Sequence, residues 1–505
     1  MNELIEKKEL MTQKINISER TDLIRLDYNK KLDEKTRGEK GQFMTPSNVA
    51  YLLASMFNNL DGVQRILDAG AGVGSLTATL IERAINEFCP KKIETEFWEI
   101  DPILIDGLAK TIDLLKDSCL KNNIDYVYNI HNENFILNSE EIIRKADTLF
   151  DKAILNPPYL KISAKSKERK VLKNLGVETG NLYSCFISIA LMLLKDGGEL
   201  VAITPRSFCN GPYFNDFRKF ILERNNLNRI TIFESRKKTF KEDKVLQENI
   251  IFHIIKGEKQ GNVKISTLSS LADETPNTRI CNFEDIVPSG NPEKFIHIIT
   301  NDLQAKIAKK IGQMPCSLQD LNVEISTGRV VDFRTRDNLT NALTEKEIFT
   351  PLIYPHNFIG NIISWPIQHK KKNNALKVNE ETKSLLVPNG HYVLIKRLTA
   401  KEEKKRVVAA YYAPTSDHKM VGFENKTNYI HCKNSGLDEY LAKGLTVYLN
   451  SSLVDAYFRQ FNGHTQVNSA DLRIMRYPDL NTLKTIGKNI KSFSQEEIDS
   501  YINIL

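Results

Sequence analysis

The chain has 505 residues, too many for one hydrophobic core, and a prior of about 100–200 residues per domain divides it into two to four. Its 41% hydrophobic and 26% charged residues are the balance of a globular protein; no apolar run is long enough to cross a bilayer, and the polar start MNELIEKKELMTQ is unlike a secretory signal. The net charge of +7 permits a polyanionic partner without demanding one, and seven cysteines without CxxC or metal-type spacing predict cytosolic thiols, hence a cytoplasmic protein with no metal site.

Residues 1–40 are charged, with helical spacing, and predict an N-terminal helical segment. In GQFMTPSNVAYLLASMF, Thr45-Pro46-Ser47 predicts a helix start. From Arg65 strand and helix alternate. QRILDAG is a strand, SLTATLIERAINEF a helix, ETEFWEI a strand, PILIDGLAKTIDLLKDSC a helix and FDKAILN a strand. NLYSCFISIALMLL is a helix, and GELVAITP, NRITIFES and ENIIFHIIK are further strands. This alternation predicts an α/β domain over 41–260 with a doubly wound, mostly parallel sheet. KGEKQGNV is a polar connector, and 261–310 is assigned to connecting sequence. From Leu318 the chain becomes irregular and strand-rich, with exposed-looking aromatics and basic residues in STGRVVDFRTRDN, PLIYPHNFIGNIISWP, HYVLIKRL and RVVAAYYAP. A second, mixed α+β domain is expected over 311–490, followed by a tail over 491–505. KRLTAKEEKKR mixes charge signs and predicts an exposed helix.

The first strand runs into Asp68-Ala69-Gly70-Ala71-Gly72-Val73-Gly74. Glycines there permit a tight turn and close approach of a ligand beyond the strand's carboxyl end. The dinucleotide fingerprint GxGxxG would need glycine at 75, which is Ser75. A carboxylate at Asp68 would repel a pyrophosphate but suits an ammonium, such as that of S-adenosylmethionine (AdoMet). Glu99, at the tip of the next predicted strand, is placed to accept from both ribose hydroxyls, with Ile100 against the adenine. An ordinary strand-to-helix turn, or NAD binding, remains the alternative for the glycines alone.

The predicted fourth strand ends in Asn156-Pro157-Pro158-Tyr159. Prolines fix φ and lack an N–H, so the corner is stiff and its carbonyls are available as acceptors. The Asn156 side-chain oxygen and the Pro157 carbonyl together match the two protons of a planar NH2 group. Holding them draws the nitrogen toward sp3 geometry and aims its lone pair at a methyl donor, while the same dipoles stabilise the developing charge. Tyr159 offers a face for stacking a planar substrate. The competing reading is a structural Pro-Pro turn with a capping Asn.

On these residues the chain resembles the gamma-class (TaqI-type) N6-adenine DNA methyltransferases, modification methylases of type II restriction-modification systems. GQFMTP matches the segment that closes over AdoMet, with Thr45 and Pro46 at corresponding positions. DAGAGVG matches the glycine motif, FWEID the ribose motif and NPPY the catalytic motif, while NLYSCF and GGELVAITPRSF match flanking elements. The resemblance covers about residues 38–480. It implies a seven-stranded AdoMet-binding sheet, a C-terminal target recognition domain, base flipping of an adenine from double-stranded DNA, and a cognate restriction endonuclease as functional partner with no required complex. The family has Asp-Phe after the third strand; here Asn134-Phe135 stands there, with the Asn134 amide oxygen the expected acceptor for the cofactor's adenine amino group. Phe240 matches a second base-stacking aromatic or is a hydrophobic anchor on a basic loop. Arg236, Lys237 and Lys238 beside it suit phosphates or solvent.

In the second domain Arg329, Arg334 and Arg336 suit guanine or phosphate. His464, Thr465, Gln466 and Asn468 suit base edges, or else serve as turn and packing residues. NPPY also serves enzymes that methylate RNA adenine or a protein glutamine amide, and an inactive DNA-binding homologue is a further alternative. Roughly two hundred residues beyond the catalytic domain favour a reader of duplex DNA, and the intact motifs favour an enzyme.

Overall fold

The computed structural model describes residues 16–33, 38, 41–145, 149–233, 248–268, 276–342, 344, 348–400, 402–415 and 417–504. It divides into two compact units, Met1–Phe295 and Ile296–Leu505.

Among the described residues the first unit holds an α/β sheet of nine strands: β1 Val63–Ala69, β2 Lys92–Trp98, β3 Asp125–His131, β4 Phe150–Leu155, β5 Leu194–Pro205, β6 Asn225–Phe233, β7 Asn249–Lys256, β8 Val263–Leu268 and β9 Asn277–Cys281. Their order is β3-β2-β1-β4-β5-β7-β6-β8-β9. From β3 to β5 all neighbours are parallel, whereas β7 runs antiparallel to both β5 and β6. The central strands are buried on both faces, which explains why they read as continuous apolar runs such as NIIFHIIK. The third strand, not delimited in the sequence, is DYVYNIH, an edge strand whose burial alternates.

Two expectations are corrected here. Among the described residues the sheet has nine strands rather than seven, because part of the supposed connector 261–310 joins its edge. VKISTL buries Val263 and Ile265 two residues apart on one face, with Leu268 also buried at the strand's end, so both sides of the strand need covering.

The helix Pro102–Lys121 begins where expected. The Asp101 side chain accepts from Ile103 N at 3.0 Å, and proline occupies the first turn, where its missing N–H costs nothing. The helix Ser47–Ala54 buries Val49, Ala50, Leu53 and Ala54 on the main core cluster, anchoring the Gly41–Pro46 segment that precedes it. The helix Ile17–Lys31 buries Tyr28 with Met44, Val73 and Leu104.

The second unit holds a six-stranded and a five-stranded sheet with helices around them. Phe333 is 70% exposed, as the exposed reading expects, but most of the aromatics in the other segments are core residues. Tyr392, Tyr412, Phe423 and Tyr429 pack together, and two of the polar tips are satisfied: Tyr392 donates to Pro388 O at 2.7 Å and Tyr412 to Asn389 Oδ1 at 2.8 Å. The expected tail over 491–505 is instead largely the helix Gln495–Asn503, capped by Ser494, whose Ile498 and Ile502 are buried four residues apart on one face. KRLTAKEEKKR is not a helix; its described residues form strand end, turns and bends, and Arg406 is 3% exposed, donating to Asn462 Oδ1 and His464 O.

Candidate active site

Strand order creates the site. β1 pairs with β2 on one side and β4 on the other, so the chain changes winding direction between β1 and β4, and a crevice opens beyond their carboxyl ends. The parallel register, Leu67 beside Ala153, carries the glycine turn and Asn156 to the same edge.

Gly70, Gly72 and Gly74 all have positive φ, at 78°, 59° and 82°. Two of them serve different ends. A Cβ on Gly74 would lie 2.8 Å from Leu108 Cδ1, so close packing against the helix Pro102–Lys121 excludes a side chain. A Cβ on Gly72 would meet nothing within 4 Å, because that position faces the open cleft.

Glu99 fastens the turn from the tip of β2. Its two oxygens accept from Gly72 N at 2.9 Å and Asp101 N at 2.8 Å. Burial raises its pKa, and these backbone donors oppose the shift. Ile100 beside it is 57% exposed, an apolar surface left uncovered at the cleft.

Asp68 lies beneath the turn, 1% exposed and not among the cleft-lining residues. Thr77 Oγ1 donates to Asp68 Oδ2 at 2.6 Å, while Asp68 Oδ1 is buried without a hydrogen-bond partner. Burial pushes this carboxyl up to about 7, with the Glu99 charge adding to the shift. An orphaned carboxylate oxygen behind the turn, a bare glycine, a committed acid at the ribose position and an exposed isoleucine together fit AdoMet.

Asn134 lines the cleft with its side-chain oxygen already engaged. Its Oδ1 accepts from Ile136 N at 3.0 Å and Leu137 N at 3.1 Å, capping the helix Phe135–Lys145. Both lone pairs are thus committed to backbone. Phe135 is buried at the cleft, 5.4 Å from Phe186 and 5.6 Å from Trp98, ring centre to ring centre.

At the tip of β4 the Asn156 side-chain nitrogen donates to Phe43 O and Thr45 Oγ1, each at 2.9 Å. A backbone carbonyl can only accept, so the amide has one orientation, with Oδ1 turned away from these partners. Tyr159 OH donates to Asn156 Oδ1 at 2.9 Å, leaving that oxygen one further lone pair. Pro157 lends its backbone carbonyl, which takes no hydrogen bond among the described residues. Gly41 holds the clamping strand close: its carbonyl accepts from Tyr159 N at 3.3 Å, its φ is 62°, and a Cβ would lie 2.9 Å from that nitrogen.

Thr45, Gly70, Gly72, Glu99, Ile100, Asn134, Phe135, Asn156 and Pro158 therefore meet in one cleft. Pro46 sits one residue behind it as the cap of the helix Ser47–Ala54. Phe240, Arg236, Lys237 and Lys238 lie outside the described residues. Sequence reasoning missed Phe43, whose contribution is a carbonyl that no residue type announces. It also missed Leu182 and Phe186, whose four-residue spacing in NLYSCF was an available signal, and Glu168.

Within the second unit, Thr327 Oγ1 donates to Asn428 Oδ1 at 2.9 Å and Asn428 Nδ2 donates to Val467 O at 2.8 Å. This relay joins the STGR segment to the 464–468 loop. Arg334 and Arg336 are exposed, as are Thr465 and Gln466. Arg329 is exposed but engaged, donating to Asn434 Oδ1 at 2.7 Å. His464 is half-buried, its carbonyl accepting from Arg406 at 2.6 Å. Asn468 caps the helix Ser469–Arg473 in a reciprocal box with Asp471, which is the turn-and-packing role.

Among the described residues no helix is long and apolar enough to cross a membrane, and no group of three or more His, Cys, Asp or Glu forms a metal cluster. Comparison with known proteins matches residues 7–240 to the family described as Eco57I restriction-modification methylase. The chain is 48% identical over 97% of both chains to the type II methyltransferase M.PstI of Providencia stuartii. It is 43% identical over 98% of both chains to the type II methyltransferase M.BsuBI of Bacillus subtilis. The type IIL restriction-modification enzyme MmeI, solved in complex with DNA, shares the fold at TM-score 0.53 and 13% identity, over 87% of this chain and 66% of that one. A cleft fitted to AdoMet, at the switch point of this sheet, and relatives matched end to end agree: the chain belongs to the AdoMet-dependent type II methyltransferases of restriction-modification systems.

Proposed function

We propose that this methyltransferase modifies the N6 amino group of adenine within a short, palindromic sequence of double-stranded DNA, flipping the base out of the helix to reach it. The modification protects DNA from a partner restriction endonuclease, with no standing complex between the two. The observation that carries this reading is the clamped amide of Asn156, whose only free valence is an acceptor.

AdoMet supplies a methyl group activated by its sulfonium. The chain supplies the rest. Asn156 Oδ1 and the Pro157 carbonyl accept the two amino protons, which opposes conjugation of the nitrogen lone pair with the ring. Both acceptors are held before the substrate arrives, one by Phe43 and Thr45, the other by proline geometry, so no reorganisation is required as charge develops. Gly72 and Glu99 hold the ribose end, and Asp68 stands behind the turn for the ammonium. The tyrosine ring of Tyr159 offers the flipped base a stacking face. Because the nitrogen carries its own protons, no general base is needed before transfer, and the excess proton leaves to water.

Extrusion of the base follows from reach: the target atom of a stacked adenine is inaccessible to a recessed cleft. Exposed Arg334, Arg336, Thr465 and Gln466 in the second unit supply phosphate and base-edge contacts. Transfer of labelled methyl from AdoMet to duplex DNA, RNA and a glutamine peptide tests the substrate, and mass spectrometry of digested DNA tests the base. The expected product is N6-methyladenine in duplex DNA alone. N4-methylcytosine, or label in RNA or peptide, would sink the assignment.

A further inference from the structure

We propose that Glu168 accepts the hydrogen bond from the exocyclic amino group of the cofactor's adenine, and so selects an adenosyl over an inosyl ligand. The inference deepens the cofactor reading of the cleft and rests on it.

An amino group buried in an apolar slot needs an acceptor, since leaving it unpaired costs the full desolvation of the group. The slot is present: Ile100, Leu182 and Phe186 give apolar walls for a purine beside Glu99. Asn134 cannot serve without cost, because both lone pairs of its Oδ1 already satisfy N–H groups of the first helical turn, which would otherwise be orphaned.

Three carboxylates line the cleft, those of Glu99, Glu133 and Glu168. Glu99 is bound to Gly72 N and Asp101 N at the turn. Glu133 is exposed, so water competes fully for its oxygens. Glu168 is half-buried and makes no hydrogen bond or ion pair among the described residues.

Its placement is rigid. Glu168 stands in the first turn of the helix Lys167–Asn174, where the helix dipole favours an acid, and Ser166 caps that turn by accepting from Arg169 N at 3.2 Å. The helix packs against Phe135–Lys145, the helix that Asn134 caps. Glu168 and Asn134 therefore line the same cleft from two packed helices, and of the two only Glu168 has acceptor capacity uncommitted among the described residues.

A carboxylate there accepts from an amino group at C6 and repels a carbonyl oxygen. Calorimetric binding of S-adenosylhomocysteine and S-inosylhomocysteine to the full chain tests this. Wild type is expected to favour the adenosyl ligand at least about tenfold, the scale of one charge-assisted hydrogen bond. Glu168→Gln, whose amide can donate to a carbonyl, is expected to lose that preference, and Glu133→Gln to keep it. Glu168→Asp, with a shorter reach, is expected to weaken adenosyl binding with an unchanged melting temperature. Full preference in Glu168→Gln, or its loss in Glu133→Gln, overturns the proposal. Failure of wild type to bind S-adenosylhomocysteine at all would instead overturn the cofactor reading beneath it.

Discussion

The side-chain nitrogen of Asn156 is held by the backbone carbonyl of Phe43, 2.9 Å away across 113 positions of sequence. An acceptor that cannot rotate thereby dictates which end of the amide faces the cleft. Asn156→Asp puts a carboxylate oxygen against the Phe43 carbonyl, which can only accept, so the side chain is repelled from that partner even though the Thr45 hydroxyl can turn to donate. Methyl transfer should fall by more than about a hundredfold, the scale of losing a fixed transition-state contact. AdoMet affinity measured by calorimetry should change little. Turnover near wild type would remove Asn156 from the chemistry.

Gly72 and Gly74 should separate binding from stability. Gly72→Ala strains a left-handed residue by about 1–2 kcal/mol, while its methyl enters the ligand's space, so AdoMet affinity should drop at least about tenfold in a folded protein. Gly74→Ala adds a clash with Leu108 to the same strain, and should cost on the order of 3 kcal/mol by denaturant titration. Equal effects of the two on binding and on stability would contradict this division.

Asp68 gives the ligand-free protein a pH signature. Its folded pKa, about 7, lies above the ordinary 3.8, so between about pH 4 and pH 7 the folded state holds a proton that the unfolded chain has released. This group's contribution to stability therefore decreases as pH rises from about 4 to about 7, by up to about 4 kcal/mol, and is constant above that. Asp68→Asn keeps the Thr77 hydrogen bond and carries no charge. It should be close to wild type near pH 3, below the ordinary carboxyl range, and progressively more stable than wild type as pH rises to 8, in thermal melts without AdoMet. A constant difference across this range would refute the assignment.

The second unit allows a three-way test on DNA. Arg336→Ala should weaken binding of all sequences alike and reduce the salt slope by about 1, as expected of a phosphate contact. Gln466→Ala should relax preference at one base position, by about 1–3 kcal/mol, with an unchanged slope. Asn468→Ala should leave DNA binding alone and cost about 1 kcal/mol of stability, the value of a helix cap. Fluorescence anisotropy across salt concentrations, with cognate and mismatched duplexes, reads all three.

The sequence by itself determined the strand-and-helix alternation, the glycine turn, Glu99 and the Asn156 corner. Each of these is a local pattern: continuous apolar runs for strands buried on both faces, glycine where φ must be positive, proline where a strand must stop. Tertiary structure decided what those local patterns were doing. That β8 extends the sheet depends on a free edge being there to accept it, and Tyr392 and Tyr412 of the second unit are core because long-range packing covers their rings and supplies partners for their hydroxyls. Asn134 reads as a cofactor contact by position, yet its oxygen is spent on a helix whose start the sequence did not mark. The orientation of Asn156 was equally hidden, since it is fixed by a carbonyl, and every residue type carries the same one. Side-chain identity states what a group can donate or accept; only the folded chain states which of those capacities has already been used.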